Sequence, residues 1–295
     1  MKKYLHPKYL PLLVPIASVL SLLLRLWTMG GGPDQDGLYS PQPFAWVLLW
    51  ILNFVTMAGI IILTGGFKNP GRYFDNFPPS PVAAAGCAAA ALGIMYSSLT
   101  MLVSAKDLLS VLTGVSGAIS AICLLLTAFG RYKGKRIGFV LHAVPCLFFA
   151  LRIFEHCKHW SNVTQTSVFL FQFLASVCVM LATYQMCCFD VNIGNRKSSL
   201  LWSLSGVYFS VLALPMGEEP LFYAGVALWL MTNLCSVRPL KTQKAQESAS
   251  EEPTPETEEP APAPEDAAAA AEELAEPDTQ EAMSSDELMR WLEKE

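Results

Sequence analysis

Between residues 10 and 237 the chain carries eight apolar stretches of near membrane-spanning length, and their connections alternate between rich in Lys/Arg and nearly free of it. A helix needs about 20 apolar residues to cross the hydrocarbon core of a bilayer. Eight such stretches therefore make lipid, rather than water, the solvent for most of the chain. The segments read as spans are 10–29, 44–63, 82–103, 108–129, 137–154, 167–186, 200–215 and 221–237. The fold expected is an all-α, polytopic transmembrane helix bundle. The last two stretches are short, so the alternative to eight crossings is six crossings with a re-entrant pair.

Positive charge sets the direction. With the N-terminus in the cytoplasm, fourteen Lys/Arg fall on the inner side, and every inner connection contributes some of them. Four fall on or near the outer side: Arg25, Lys106, Arg152 and Lys158. The expectation is a multi-pass plasma-membrane protein with both termini cytoplasmic. Lys2 and Lys3 before an apolar run resemble a secretory leader, but the run is long, holds Pro11, Pro15 and Arg25, and lacks a small-x-small cleavage site. It reads as a retained helix.

The charge balance divides the chain. Residues 1–244 carry a net +10 and residues 245–295 a net −15, against −5 for the whole. Three parts are expected: a transmembrane helical domain over 1–240, a disordered acidic Pro/Ala-rich linker over 241–280, and a short amphipathic helix over 281–295. The linker has too few apolar side chains to build a core. In the last part Ser284 and Glu287 form a capping-box pattern, and Leu288, Trp291 and Leu292 share one helical face. That face suits docking to a cytoplasmic protein partner, or it belongs to an uncommitted tail.

The candidate chemistry lies at the outer rim. Leu24-Arg25-Leu26-Trp27 closes the first span and Leu151-Arg152-Ile153-Phe154 the fifth, 127 positions apart. Acids recur as well, with Asp107 before the fourth span and Glu218 and Glu219 before the eighth. The spacing suggests a 4+4 parallel internal repeat about an axis along the membrane normal. An intramembrane cation is costly unless it snorkels, pairs or faces a polar cavity. Arg25 and Arg152 thus read either as snorkelling or structurally paired residues, or as a ligand site with Asp107, Glu218 and Glu219. Capping also explains the acids: Ser104-x-x-Asp107 matches a capping box, and Glu218-Glu219-Pro220 matches a helix start.

The densest metal-capable run is Glu155-His156-Cys157-Lys158-His159, where His156 and His159 are weak zinc candidates because the spacing matches no zinc motif. An interfacial polar collar is the competing reading. His142, alone in the fifth span, reads as a hydrogen-bonded helix residue. Seven of the eight cysteines fall in or at the edges of spans, so no disulfide framework is expected. Small residues at spacing four, Gly86/Ala90, Ala89/Gly93, Gly114/Ala118 and Gly117/Ala121, predict a tight antiparallel hairpin of the third and fourth spans.

No nucleophile elbow, Walker loop, dinucleotide fingerprint or zincin motif is present, so enzyme readings lack a catalytic constellation, no cofactor is indicated, and nothing points to nucleic acid. In its hydropathy layout, its Leu-Arg-Ile-Phe followed by Lys-His-Trp-Ser, and its short tail helix, the chain resembles uncharacterised multi-pass membrane proteins of Gram-positive, clostridial-type bacteria. That resemblance covers most of the membrane part and implies no activity. Three function classes follow. The first is a non-enzymatic module that binds or passes a small solute at an outward-facing polar site. The second is a scaffold or sensor that recruits a partner through Leu288, Trp291 and Leu292, and the third is an intramembrane enzyme.

Overall fold

The computed structural model describes residues 10–29, 43–65, 76–135, 138–160, 166–216 and 219–237. Among them are eight α-helices of 17 to 26 residues: α1 (Leu10–Met29), α2 (Pro43–Gly65), α3 (Pro81–Ser104), α4 (Leu108–Lys133), α5 (Val140–Trp160), α6 (Thr166–Asp190), α7 (Arg196–Ala213) and α8 (Pro220–Ser236). A 3-10 turn, Leu214–Met216, follows α7. The helix ends follow local chemistry. Ser80 precedes Pro81 and accepts a hydrogen bond from the Ala83 amide, so α3 starts with a capped amide and a residue that has no N–H to satisfy. Asn195 caps α7 through the Ser198 amide. Gly134 ends α4 in the left-handed region at φ 68°, a conformation glycine adopts without a Cβ penalty.

Five helices are long and apolar enough to cross a membrane: Phe44–Gly65, Pro81–Ser104, Leu108–Lys133, Val140–Lys158 and Phe169–Asp190. Leu13–Met29 and Pro220–Ser236 are shorter apolar helices. Large apolar side chains cover the outside, with Phe54 80% exposed, Ile62 76% and Leu92 68%. A soluble monomer does not present such continuous apolar surface to water, so the molecule is a polytopic membrane protein. The seventh helix is the exception that explains itself. It carries Arg196, Lys197 and five serines, and it is the most enclosed, with Ser203 through Ser210 buried without a break. A helix that faces protein on all sides does not need lipid-compatible side chains, so its low apolar content reflects its central position.

The helices α3 to α8 form a cycle of neighbours. Each packs on the next in sequence, and α8 closes the cycle by packing along α3. The hairpin of α1 and α2 lies outside this cycle and packs on α7. The tight α3–α4 hairpin forms as its small residues predict: a Cβ at Gly114 would come 2.6 Å from Leu102 Cγ of α3. The glycines of α3 serve a different neighbour. A Cβ at Gly93 would meet the Leu221 carbonyl of α8 at 2.7 Å, and one at Gly225 would meet the Ala89 carbonyl of α3 at 3.0 Å. Small residues on both helices allow this backbone approach, and its gain is dispersion contact rather than the hydrophobic effect. The packing does not repeat from half to half. In α5–α8 every consecutive pair packs together, whereas α2 makes no substantial contact with α3. The duplication suggested by the two arginine motifs is therefore not reproduced in the neighbour pattern.

Candidate functional site

Among the described residues Arg152 is the most buried charge, with 1% of its surface exposed. The fifth helix continues to Trp160, eight residues beyond it, or about 12 Å at 1.5 Å per residue. Arg152 therefore lies two turns inside the helix rather than at its end, and it does not snorkel. Its guanidinium is held from three sides. Nη2 donates to Glu219 Oε2 at 2.5 Å, Nη1 donates to Ser97 Oγ at 3.0 Å, and the plane lies over the Phe222 ring at 3.9 Å. The Ser97 hydroxyl in turn donates a hydrogen bond to Glu219 Oε2, closing a three-membered network across α3, α5 and α8.

Sequence chemistry places Glu219 for this task. It is the N-cap residue of α8, with Pro220 at the first helical position, yet its carboxylate makes no cap hydrogen bond. The carboxylate remains near the positive end of the α8 dipole and is used by Arg152 and Ser97 instead. Two donors of the cluster lack a well-formed hydrogen bond. Arg152 Nε is buried without one, and the buried Tyr223 hydroxyl lies close to Ser176 and Arg152 but makes no hydrogen bond of good geometry to either. A buried polar group without a partner forfeits its hydration without compensation. The site thus has donor capacity that its own residues do not fully use.

Arg25 does not join this cluster. It is 2% exposed, stacks over Phe171 at 4.6 Å, and donates from Nη1 to the carbonyl of Leu212, in the last turn of α7. A cation is favourable there because the last helical carbonyls lack intrahelical partners and carry the negative end of the dipole. The two arginines, 127 positions apart, thus bind opposite sides of the connection between α7 and α8: Arg25 at its start and Arg152 at its end.

Asp107 is also elsewhere. It occupies the N-cap position of α4 without a side-chain cap hydrogen bond, and Ser104 donates back to the Thr100 carbonyl, so the Ser104–Asp107 capping box does not form. Asp107 instead receives Lys158 at 2.5 Å in an exposed ion pair, and the ammonium holds its carboxyl below the usual range. Glu218, Leu288, Trp291 and Leu292 lie outside the described residues, as do the linker and the tail helix. The Glu155–His159 run is the last turn and a half of α5, and Cys157 is an exposed helical residue rather than part of a loop. The side chain of His159 is outside the described set. Among the described residues no three His, Cys, Asp or Glu side chains gather as a metal site, and His156 is half-buried.

Sequence reading missed a second buried cluster near the other ends of the same helices. His142 Nδ1 meets Asp190 Oδ2 at 2.5 Å, joining α5 to α6. Arg131 Nη2 donates to Asn233 Oδ1 at 2.9 Å and Ser236 Oγ at 3.1 Å, joining α4 to α8. Arg131 had counted as one of four cations in a short inner connection, Asp190 fell in the inner connection after the sixth span, and Asn233 stood in an apolar stretch. The available signal was that isolated polar residues at membrane depth need partners. Between the two clusters lie Phe148, Phe149 and Phe222, packed ring against ring at 5.2–6.3 Å. A third polar link, in which the Tyr208 hydroxyl bonds both Ser21 at 2.7 Å and Asn53, fastens α7 to α1 and α2.

Comparison with family models, with curated proteins and with solved structures yields no match. The arrangement must therefore be read from its own chemistry.

Proposed function

We propose that the protein is a non-enzymatic membrane module that binds a small polar solute, and passes it across the membrane, at a site centred on Arg152 near the outer end of the α3–α8 cycle. The observation that carries this reading is a fully buried guanidinium whose Nε has no hydrogen bond, beside a buried Tyr223 hydroxyl whose contacts with Ser176 and Arg152 lack good hydrogen-bond geometry. Two convergent donors next to an Arg–Glu pair suit a solute that presents hydrogen-bond acceptors, such as a carboxylate, and Glu219 is positioned to exchange Arg152 with it. Arg25 and Asp107, first grouped with this site, serve in this reading as a helix-end cap and a surface tie. The second polar cluster, beyond the layer of Phe148, Phe149 and Phe222, is consistent with a path that is interrupted rather than open.

Placement in the membrane is part of the proposal. The Lys/Arg asymmetry supports cytoplasmic termini and puts Arg152 on the outer side. Full crossing by α8 is supported by its course along α3, from Glu219 beside Ser97 to Thr232 beside Gly86. The cytoplasmic-partner reading rests on tail residues outside the described set, and no structural observation favours it.

The test is a thermal-shift and equilibrium-binding screen of small carboxylates and amides on the full chain in lipid nanodiscs. A saturable ligand is expected to lose at least tenfold in affinity with Tyr223→Phe and to lose binding with Arg152→Gln, while Asp107→Asn leaves it unchanged. Tyr223→Phe removes only a hydroxyl that makes no well-formed hydrogen bond, so a purely structural cluster loses little by it. No ligand in the panel, or a ligand indifferent to both substitutions, overturns the proposal.

A further inference from the structure

Glu219 and Arg152 are unequal partners. The guanidinium is fixed in the interior: it is clamped between Ser97 and the Phe222 ring and carried two turns inside α5. The carboxylate stands at the first residue of α8, keeps 17% side-chain exposure, and lacks the cap hydrogen bond that an N-cap side chain ordinarily makes. A ligand or proton arriving from solvent therefore meets Glu219 before Arg152.

The surrounding charges set a stoichiometry. Among the described residues, the titratable groups that act on the pair are Tyr223 of α8 and the half-buried Glu155 of α5, one turn beyond Arg152. From α3 and α6 come the neutral hydroxyls of Ser97 and Ser176. Of the other described cations at this end, Arg25 is engaged by the Leu212 carbonyl, Lys158 by Asp107, and Lys106 is exposed. A carboxylate brought to Arg152 while Glu219 stays ionised would put a second anion against one guanidinium, and like charges sharing a buried site strongly disfavour each other. A proton on Glu219 removes that conflict.

Ser97 is built to serve both protonation states. Its hydroxyl accepts from Arg152 Nη1 and donates to Glu219 Oε2. A protonated carboxyl becomes a donor, so Ser97 then accepts from Glu219 with its second lone pair. The hydroxyl's own proton turns to the carbonyl one helical turn earlier, that of Gly93, as helical serines commonly do. The Ser97–Glu219 hydrogen bond survives with its direction reversed.

We infer that the site takes a monocarboxylate together with one proton: the ligand carboxylate replaces Glu219 on the Arg152 guanidinium, and Glu219 binds a proton drawn from solvent. This rests on the reading of Arg152 as a solute site and names the substrate class of that site. The step is a proton transfer without redox change. An O–H bond forms on the Glu219 carboxylate as one breaks on hydronium or a buffer acid, and the proton returns when the ligand leaves. The net charge of the site is the same empty and loaded. A dicarboxylate brings a further charge that the one exchangeable acid does not offset, so it is disfavoured.

The experiment titrates the full chain in nanodiscs with acetate, benzoate or succinate, by calorimetry in two buffers of different ionisation heat, across the neutral pH range. Acetate or benzoate is expected to bind with uptake of about one proton, its affinity falling roughly tenfold per pH unit as pH rises. Succinate is expected to bind at least tenfold more weakly. Glu219→Gln, which stands in for the protonated acid, should bind the same probe with an affinity independent of pH and no proton uptake. Should that variant not fold, infrared difference spectra of the wild-type chain decide: with the probe's carboxyl carbon isotopically labelled, binding should convert one protein carboxylate band to a carboxylic acid band. Absence of that conversion, or proton uptake that persists in Glu219→Gln, overturns the assignment of the proton to Glu219. Binding without proton uptake overturns the coupling while leaving Arg152 as a solute site. Succinate binding as tightly as acetate overturns the monocarboxylate class. No binding of either monocarboxylate, or equal binding by Arg152→Gln, overturns the solute-site reading and this inference with it.

Discussion

Glu219→Gln isolates the electrostatic strut on which the outer end of the bundle rests. The substitution keeps the size and one acceptor oxygen at the α8 N-cap, so Arg152 and Ser97 retain hydrogen-bond partners, but it removes the anion facing a guanidinium that is 1% exposed. Breaking a buried pair from one side costs about 3–5 kcal/mol, because the surviving charge keeps its desolvation penalty. Glu219 keeps 17% side-chain exposure, and Gln retains an acceptor, so the low end applies, roughly 3 kcal/mol including the lost interaction with the α8 dipole. Removing both charges should differ in kind. In Arg152→Met with Glu219→Gln no charge is left stranded, and most of the loss should return, since an apolar replacement of a buried pair is often neutral or stabilising. Equilibrium unfolding in mixed micelles, run as a double-mutant cycle, reads both numbers. A Glu219→Gln chain within about 0.5 kcal/mol of wild type, or a double variant no more stable than Glu219→Gln alone, would falsify the assignment of Arg152 and Glu219 as a buried, mutually dependent pair.

Four further outcomes follow from other contacts. Gly93→Ala drives a methyl against the Leu221 carbonyl at 2.7 Å, and because backbone cannot rotate aside, unfolding should show a loss of about 1–3 kcal/mol, with Gly59→Ala, which meets nothing, unchanged. Tyr208→Phe strands Ser21 and Asn53 between α1, α2 and α7 and should cost about 1–3 kcal/mol in the same assay. Arg25→Gln removes the cation at the α7 C-terminus and should lower stability by up to about 2 kcal/mol while leaving ligand binding at Arg152 intact, which a binding titration checks. The Asp107–Lys158 pair depresses the Asp107 pKa, so its contribution is present above the ordinary value of 3.8 and is lost as pH falls below it; the small melting difference between wild type and Asp107→Asn should vanish in that range.

Helix positions were legible because lipid imposes a length and composition rule that the five long apolar helices each obey alone, with α7 the exception. The start of α3 after Ser80, the Pro220 start of α8 and the lipid-facing Phe54 and Ile62 needed no knowledge of a neighbour. The expectation that Arg152 sits at the rim failed for a local reason. The run Glu155–His159 looks like a loop by polarity, but continues as helix because its residues are tolerated at the interface and Lys158 finds Asp107.

Partner choice was a different matter. Arg25 and Arg152 look equivalent in their matching motifs, yet one ends on a carbonyl and the other on a carboxylate. Which acceptor each meets depends on how α7 and α8 pass α1, α3 and α5. His142 with Asp190, and Arg131 with Asn233, are 48 and 102 positions apart. A single apolar helix can satisfy its backbone by itself, so its own sequence suffices to specify that it is a helix in lipid. A buried polar side chain can be satisfied only by another helix, and only the packed bundle decides which one.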